Sequence, residues 1–161
     1  MIRMRKLTDY GIVLLVHFVR LGEDEVLTAR EASEVSQVPV PTVSKLLKVL
    51  AQSGFLASHR GIHGGYSLNC DPDVATLIEV IEALEGKIAI TECSERASEM
   101  CEDQGTCPLG THWPHINLAV KSALAVITIK DISRPLPPHM SRAGWAPGTI
   151  QNPYLVPIAG D

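Results

Sequence analysis

The chain has 161 residues, enough for one or two small domains, and is 45 % apolar but only 4 % aromatic. A core of Leu, Ile, Val and Ala points to helix-on-helix packing. With no apolar run of about 18 residues and no leader-like start, the expectation is a cytoplasmic protein without a membrane partner. The net charge of −4 disfavours nucleic acid only on average: residues 1–65 carry eight Lys/Arg against six Asp/Glu, whereas 66–161 carry six against twelve.

Residues 8–21, TDYGIVLLVHFVRL, predict a helix that is apolar on most sides and therefore largely buried, with Thr8 as its cap and Asp9 suiting the positive end of the dipole. After the polar turn at Gly22-Glu23-Asp24-Glu25, Thr28 and Glu31 have capping-box spacing and open a short helix over about 28–36. Val38-Pro39-Val40-Pro41 interrupts it and restarts a helix whose Val43, Leu46, Leu47 and Leu50 share one face, with Gly54 as the stop. The opposite face carries Thr42, Ser44, Lys45, Lys48 and Gln52. Two short helices around a tight turn, the second with a small polar and basic outer face, match the helix–turn–helix pattern.

Residues 55–60 and 66–69 then flank Gly61-Ile62-His63-Gly64-Gly65 as a hairpin, whose glycines allow positive φ in a tight turn. Carrying His59, Arg60 and His63, it reads as a wing. Thr42, Ser44 and Lys45 are expected at base edges in the major groove, Lys48 and the wing at phosphate, and Arg60 in the minor groove. Residues 74–85 predict an amphipathic helix with Leu77, Ile78, Ile81 and Leu84 on one face, Glu79, Glu82 and Glu85 opposite, and Gly86 at its end. Residues 91–111 are polar and aperiodic and read as a loop, a length that calls for a functional reason. From about 112 to 131 a long helix is predicted, with a broad apolar face through Ile116, Ala119, Val120, Ala123, Leu124, Val126 and Ile127. Six of the eleven prolines follow Ser133, in a segment read as a mobile tail.

The loop contains Cys93, Cys101 and Cys107 in the order C-x7-C-x5-C. Thiolates suit zinc or iron–sulfur clusters; structural zinc usually shows shorter C-x2–4-C knuckles and four ligands, whereas wider spacing can wrap an object larger than one ion. Cys70, at the end of the wing strand, reads as a small buried hydrophobe.

The motif LTDYG at 7–11, the helix–turn–helix, HRGIHGGYSL at 59–68, ALEG at 83–86 and the spaced cysteines before a long helix together resemble the IscR/NsrR family of winged-helix iron–sulfur regulators, over about residues 4–132. The resemblance implies a mainly α fold, a winged helix–turn–helix of three helices plus a β-hairpin wing, with a long C-terminal dimerisation helix. The implied organisation is a DNA-binding domain at 1–71, a linker helix at 72–90, a cluster-binding loop at 91–111, a dimerisation helix at 112–132 and the Pro-rich tail at 133–161. It further implies a homodimer on double-stranded operator DNA, each subunit holding an iron–sulfur cluster on Cys93, Cys101 and Cys107. The nearest branch is the one regulating the SUF cluster-assembly operon.

For the fourth ligand, IscR-type members place a His where this chain has Gly110, with His112 two residues beyond; NsrR-type members use an Asp of the partner's first helix, which Asp9 matches. Asp9 is favoured, beside its plain reading as a helix-dipole residue. The seven-residue gap resembles iron-responsive members, favouring [4Fe–4S] over [2Fe–2S]. The alternatives are a thiol- or zinc-based redox-responsive regulator of the same fold, and a redox or electron-transfer protein. The last lacks C-x-x-C, a Gly-rich nucleotide fingerprint and triad-like spacing, so no enzyme is expected.

Overall fold

The computed structural model describes residues 4–22, 25–61, 64–91, 107, 109 and 112–135. The predicted tail beyond 135 and most of the predicted cysteine loop lie outside the described residues. Among those described, the elements are α1 (Lys6–Leu21), α2 (Ala29–Ser36), α3 (Val40–Gln52), β1 (Leu56–His59), β2 (Gly65–Leu68), α4 (Leu77–Glu85), α5 (His112–Ala125) and α6 (Ile129–Ser133). The architecture is mainly helical with one two-stranded antiparallel sheet.

Helix α1 is the spine. Leu14, Leu15 and Phe18 are buried to within 1 % of complete. Around them gather Ala32 of α2, Val43, Leu46, Leu47 and Leu50 of α3, Leu56 and Leu68 of the hairpin, Val80 of α4 and Ile129 of α6. The predicted apolar stripe of α3 is therefore its core face. Thr28 caps α2 through the expected reciprocal pair with Glu31, and α3 begins after Pro39 with a proline in its first turn.

The hairpin pairs Leu56 with Leu68 and His59 with Gly65. A third segment joins it: Leu27 and Tyr66 exchange both backbone hydrogen bonds, at 2.9 and 2.8 Å. This explains Gly65 differently from the turn argument, because a Cβ there would stand 2.5 Å from the Leu27 carbonyl oxygen. Gly61 does adopt the expected positive φ, 109°.

Three helix boundaries correct the sequence reading. Helix α1 starts two residues early, with Arg5 as an N-cap lacking a side-chain bond, so Thr8 is not its cap. Thr8 is instead 1 % exposed, and its hydroxyl donates to Glu85 Oε1 of α4, which also accepts the Arg5 N–H at 2.8 Å. Helix α4 starts at Leu77 rather than 74, because Thr76 and Glu79 form a capping box. The single helix expected from 112 to 131 is two, since Thr128 caps α6 in a third such box with Asp131.

The supposedly solvent-facing glutamates of α4 thus hold neighbours. Glu85 is kept below the ordinary carboxyl value of 4.5 chiefly by the Thr8 hydroxyl and next by the Arg5 N–H. Glu82 is lowered chiefly by its bond to Lys121 of α5, at 2.7 Å. A carboxyl whose folded pKa is depressed stabilises the fold above its unfolded pKa, and that contribution is lost as pH falls through the folded value. Thr8→Val should therefore cost about 1–2 kcal/mol at neutral pH, by leaving Glu85 one donor short. Urea titrations at several pH values should show the gap between wild type and variant closing as the pH is taken below 4.5; a gap independent of pH would remove Glu85 as its cause.

Candidate DNA-binding surface and cysteine site

The outer face of α3 follows from its inner one. With Val43, Leu46, Leu47 and Leu50 turned to the core, helical spacing sends Ser44, Lys45 and Lys48 outward, and all three are exposed. Thr42 is half-buried in the first turn. The turn before α3 is held by Gln37, a non-glycine residue at φ 58°, whose side-chain amide donates to the Glu34 carbonyl at 2.7 Å. Ser33 Oγ donates across the same turn to the Val38 carbonyl at 2.6 Å. These bonds fix the angle between α2 and α3, and sequence reasoning passed over both.

Arg60 is exposed immediately after β1, and His63 lies outside the described residues. His59 is not a free wing-tip base: its Nε2 lies 2.8 Å from the hydroxyl of Ser67, a β2 residue only 7 % exposed. The strand alternation puts both side chains on one face of the hairpin, and that pattern could have flagged Ser67. Among the described residues, neither Lys45, Lys48 nor Arg60 forms an ion pair, whereas Arg30 of α2 is paired with Glu34 at 3.5 Å. Unpaired cations on a helix face and beside a hairpin are free to meet phosphate.

The proposed ligands are described only in part. Cys93 and Cys101 lie outside the described residues; Cys107 is a half-buried free thiol. Among the described residues no three His, Cys, Asp or Glu side chains stand together as a metal site. Asp9 is exposed on the first turn of α1, beside an open recess it shares with Met4, Arg5 and Lys6. His112 is exposed at the start of α5. Cys70 packs against the core, and burial pushes its thiol pKa up, which makes it a poor nucleophile or ligand.

The described residues on either side of the cysteine segment both reach α5. On the near side, the Asn117 side chain donates to the Ile88 carbonyl at 3.3 Å and accepts the Ile90 N–H at 3.2 Å. On the far side, the Leu109 carbonyl accepts the N–H groups of His112 and Trp113 at 3.0 and 3.2 Å. Asn117 is only 7 % exposed, and the sequence reading did not single it out.

Comparison with known proteins agrees with this architecture. The family described as Rrf2, iron-dependent transcriptional regulator, matches residues 4–135. Protein rrf2 of Nitratidesulfovibrio vulgaris is 27 % identical over 125 residues, which cover 78 % of this chain and 83 % of that protein. The transcriptional regulator NsrR of Bacillus subtilis is 24 % identical over 130 residues, covering 81 % and 89 %. Among solved structures, CymR, the global cysteine regulator of B. subtilis, superposes with a TM-score of 0.61 at 22 % identity, over 83 % of this chain and 97 % of that one, a likeness of fold. These relatives are transcriptional regulators rather than enzymes. With the family matched across the helix–turn–helix, the hairpin and α5, the chain belongs to the Rrf2 family of DNA-binding transcriptional regulators.

Proposed function

We propose that the protein is an iron–sulfur-sensing repressor that binds operator DNA as a homodimer and controls genes for iron–sulfur cluster assembly, of the SUF type. The observation that supports the sensor reading is that the described residues flanking the segment with Cys93, Cys101 and Cys107 both reach one helix, α5: Ile88 and Ile90 through Asn117, and Leu109 through the helix's first turn. Three thiolates are a soft donor set that suits a cluster, and Asp9 of the partner subunit is the proposed fourth ligand, ahead of His112. A cluster bound there would supply an inorganic centre whose stability depends on iron and oxidants, and [4Fe–4S] is favoured over [2Fe–2S]. What this chain's own residues contribute is the DNA surface, the thiolates and the helix that links them.

The dimer reading is supported by α5 itself. Ile116 and Leu118 of α5, and Val126 just past its end, are 42 %, 61 % and 52 % exposed, with Ala119 and Ala123 between them, and the one Asp, Glu, Lys or Arg of the helix, Lys121, is turned toward Glu82. A helix face whose exposed apolar side chains are interrupted by no Asp, Glu, Lys or Arg suits a second copy of the same helix. Dimerisation would also bring a second recognition helix to the operator.

Two measurements test the DNA surface and the sensor. In titrations of the protein's own upstream DNA, Arg60→Ala should weaken binding by about 1–3 kcal/mol, and Lys48→Ala should lower the salt slope by about one. Ser44→Ala should instead change which operator variants are preferred; equal losses on all sequences would move Ser44 out of the base-reading set.

For the sensor, anaerobic reconstitution should give a coloured, iron-containing dimer, with Asp9→Ala changing its spectrum or hastening its bleaching. A colourless zinc protein, or a metal-free one whose DNA binding follows thiol oxidation, would overturn the cluster in favour of direct thiol sensing.

A further inference from the structure

Helix α3 departs from its own pattern at one residue. Val40, Val43, Leu47 and Leu50 recur at helical spacing along one stripe, and the last three are fully buried. Val40, the first residue of the helix, is instead 43 % exposed. Pro39 and Pro41 on either side of it are exposed as well. The tip of α3 thus turns three apolar side chains in a row to solvent, and the exposed Ser44, Lys45 and Lys48 continue from it.

The same prolines change what the backbone can offer. A helix N-terminus usually presents several free N–H groups, which suit phosphate. Pro39 and Pro41 have no N–H, and no side chain caps the helix. The N–H groups of Thr42 and Val43 both bond the Pro39 carbonyl, at 2.9 and 3.0 Å. At most one backbone donor, that of Val40, is left at the tip. The tip is therefore poor in groups that hold phosphate and rich in apolar surface.

In a helix–turn–helix the N-terminal residues of the second helix meet base edges in the major groove. The apolar group that those edges present is the C5-methyl of thymine. We propose that Val40 is a specificity-determining residue that packs on a thymine methyl of the operator, flanked by Pro39 and Pro41. The proposal rests on α3 being the DNA-reading helix and adds to it a contact made without a hydrogen bond. Burying one such methyl is worth about fourfold in affinity.

The test alters the DNA as well as the protein. The full chain is titrated with its own upstream DNA and with copies in which each thymine in turn is replaced by uracil. Uracil lacks the methyl and keeps every hydrogen-bonding group of the base. At a small number of positions it should weaken wild-type binding about fourfold. Val40→Ala should bind the thymine DNA more weakly by a similar factor and no longer distinguish thymine from uracil at those positions. Its oligomeric state and melting temperature should stay those of wild type. Val40→Ile, which remains apolar, should keep the distinction.

Uracil tolerated at every position overturns the proposal, and because only the DNA is altered this holds whether or not any variant folds. Sensitivity to uracil that persists in Val40→Ala also overturns it, and gives the methyl to another side chain. A Val40→Ala variant that changes oligomeric state instead assigns the tip to a protein contact, with the same consequence. If wild type binds neither its upstream DNA nor any duplex selected from a random pool, the DNA-reading role of α3 falls first, and the proposal with it.

Discussion

The interaction on which the rest depends is the contact of α1 with α4. Gly11 leaves so little space that a Cβ there would lie 2.5 Å from Leu84 Cδ1, and the side chain of Glu85, one residue on, reaches Thr8 and the Arg5 N–H. The contact combines an apolar approach with a charge-assisted hydrogen bond, which gives it both strength and a defined register. It sets the end of α4, and so the point from which residues 86–91 set out toward the cysteines. The same turn of α1 that turns Thr8 inward leaves Asp9 exposed.

The DNA-binding half was legible because its signals are local. Capping residues, a proline in the first turn, an apolar stripe at helical spacing and a glycine-flanked hairpin each act within a few residues, and together they give α2, α3, β1 and β2 nearly to the residue. What escaped were long-range partners. Glu85 looks like a solvated helix glutamate until Thr8, 77 positions earlier, is placed against it. Asn117 looks like a surface residue until the backbone of Ile88 and Ile90 passes beside it. The cap assigned to Thr8 failed for a related reason: a hydroxyl already bonded to α4 lies inside the helix, and the chain begins its turn earlier.

The candidate site divides along the same line. Ser44, Lys45 and Lys48 follow from the period of α3, since burial of one face exposes the other. Cys93, Cys101 and Cys107 follow from residue type and spacing alone, which say what they can bind but not how the chain gathers them. His59 stands between these cases: it lies exposed on the predicted hairpin, with its Nε2 against the Ser67 hydroxyl. Its bond links the two strands of the hairpin beside Arg60.

The break between α5 and α6 has the largest consequence for how α5 is joined to the core. An uninterrupted helix to 131 would carry its end away from the core. Instead, Thr76 and Thr128 form an antiparallel bridge, with the Leu77 N–H on the Ile127 carbonyl and the Ile129 N–H on the Ala75 carbonyl, at 2.8 and 2.9 Å. Two capped helices therefore start side by side, and Ile129 is fully buried against the spine. Arg20 of α1 adds a bond to the Ser133 carbonyl at 3.0 Å. Helix α5 is thus tied to the core by the bridge just beyond its C-terminal end, and through Asn117 to the backbone of Ile88 and Ile90. A rotation of α5 could not occur without disturbing either this bridge or the Asn117 contacts. The two ends differ in kind, one an apolar and backbone-bonded junction, the other two side-chain bonds to an irregular segment. The second is the weaker of the two, because the residues it holds are only half-buried whereas Ile129 is fully buried.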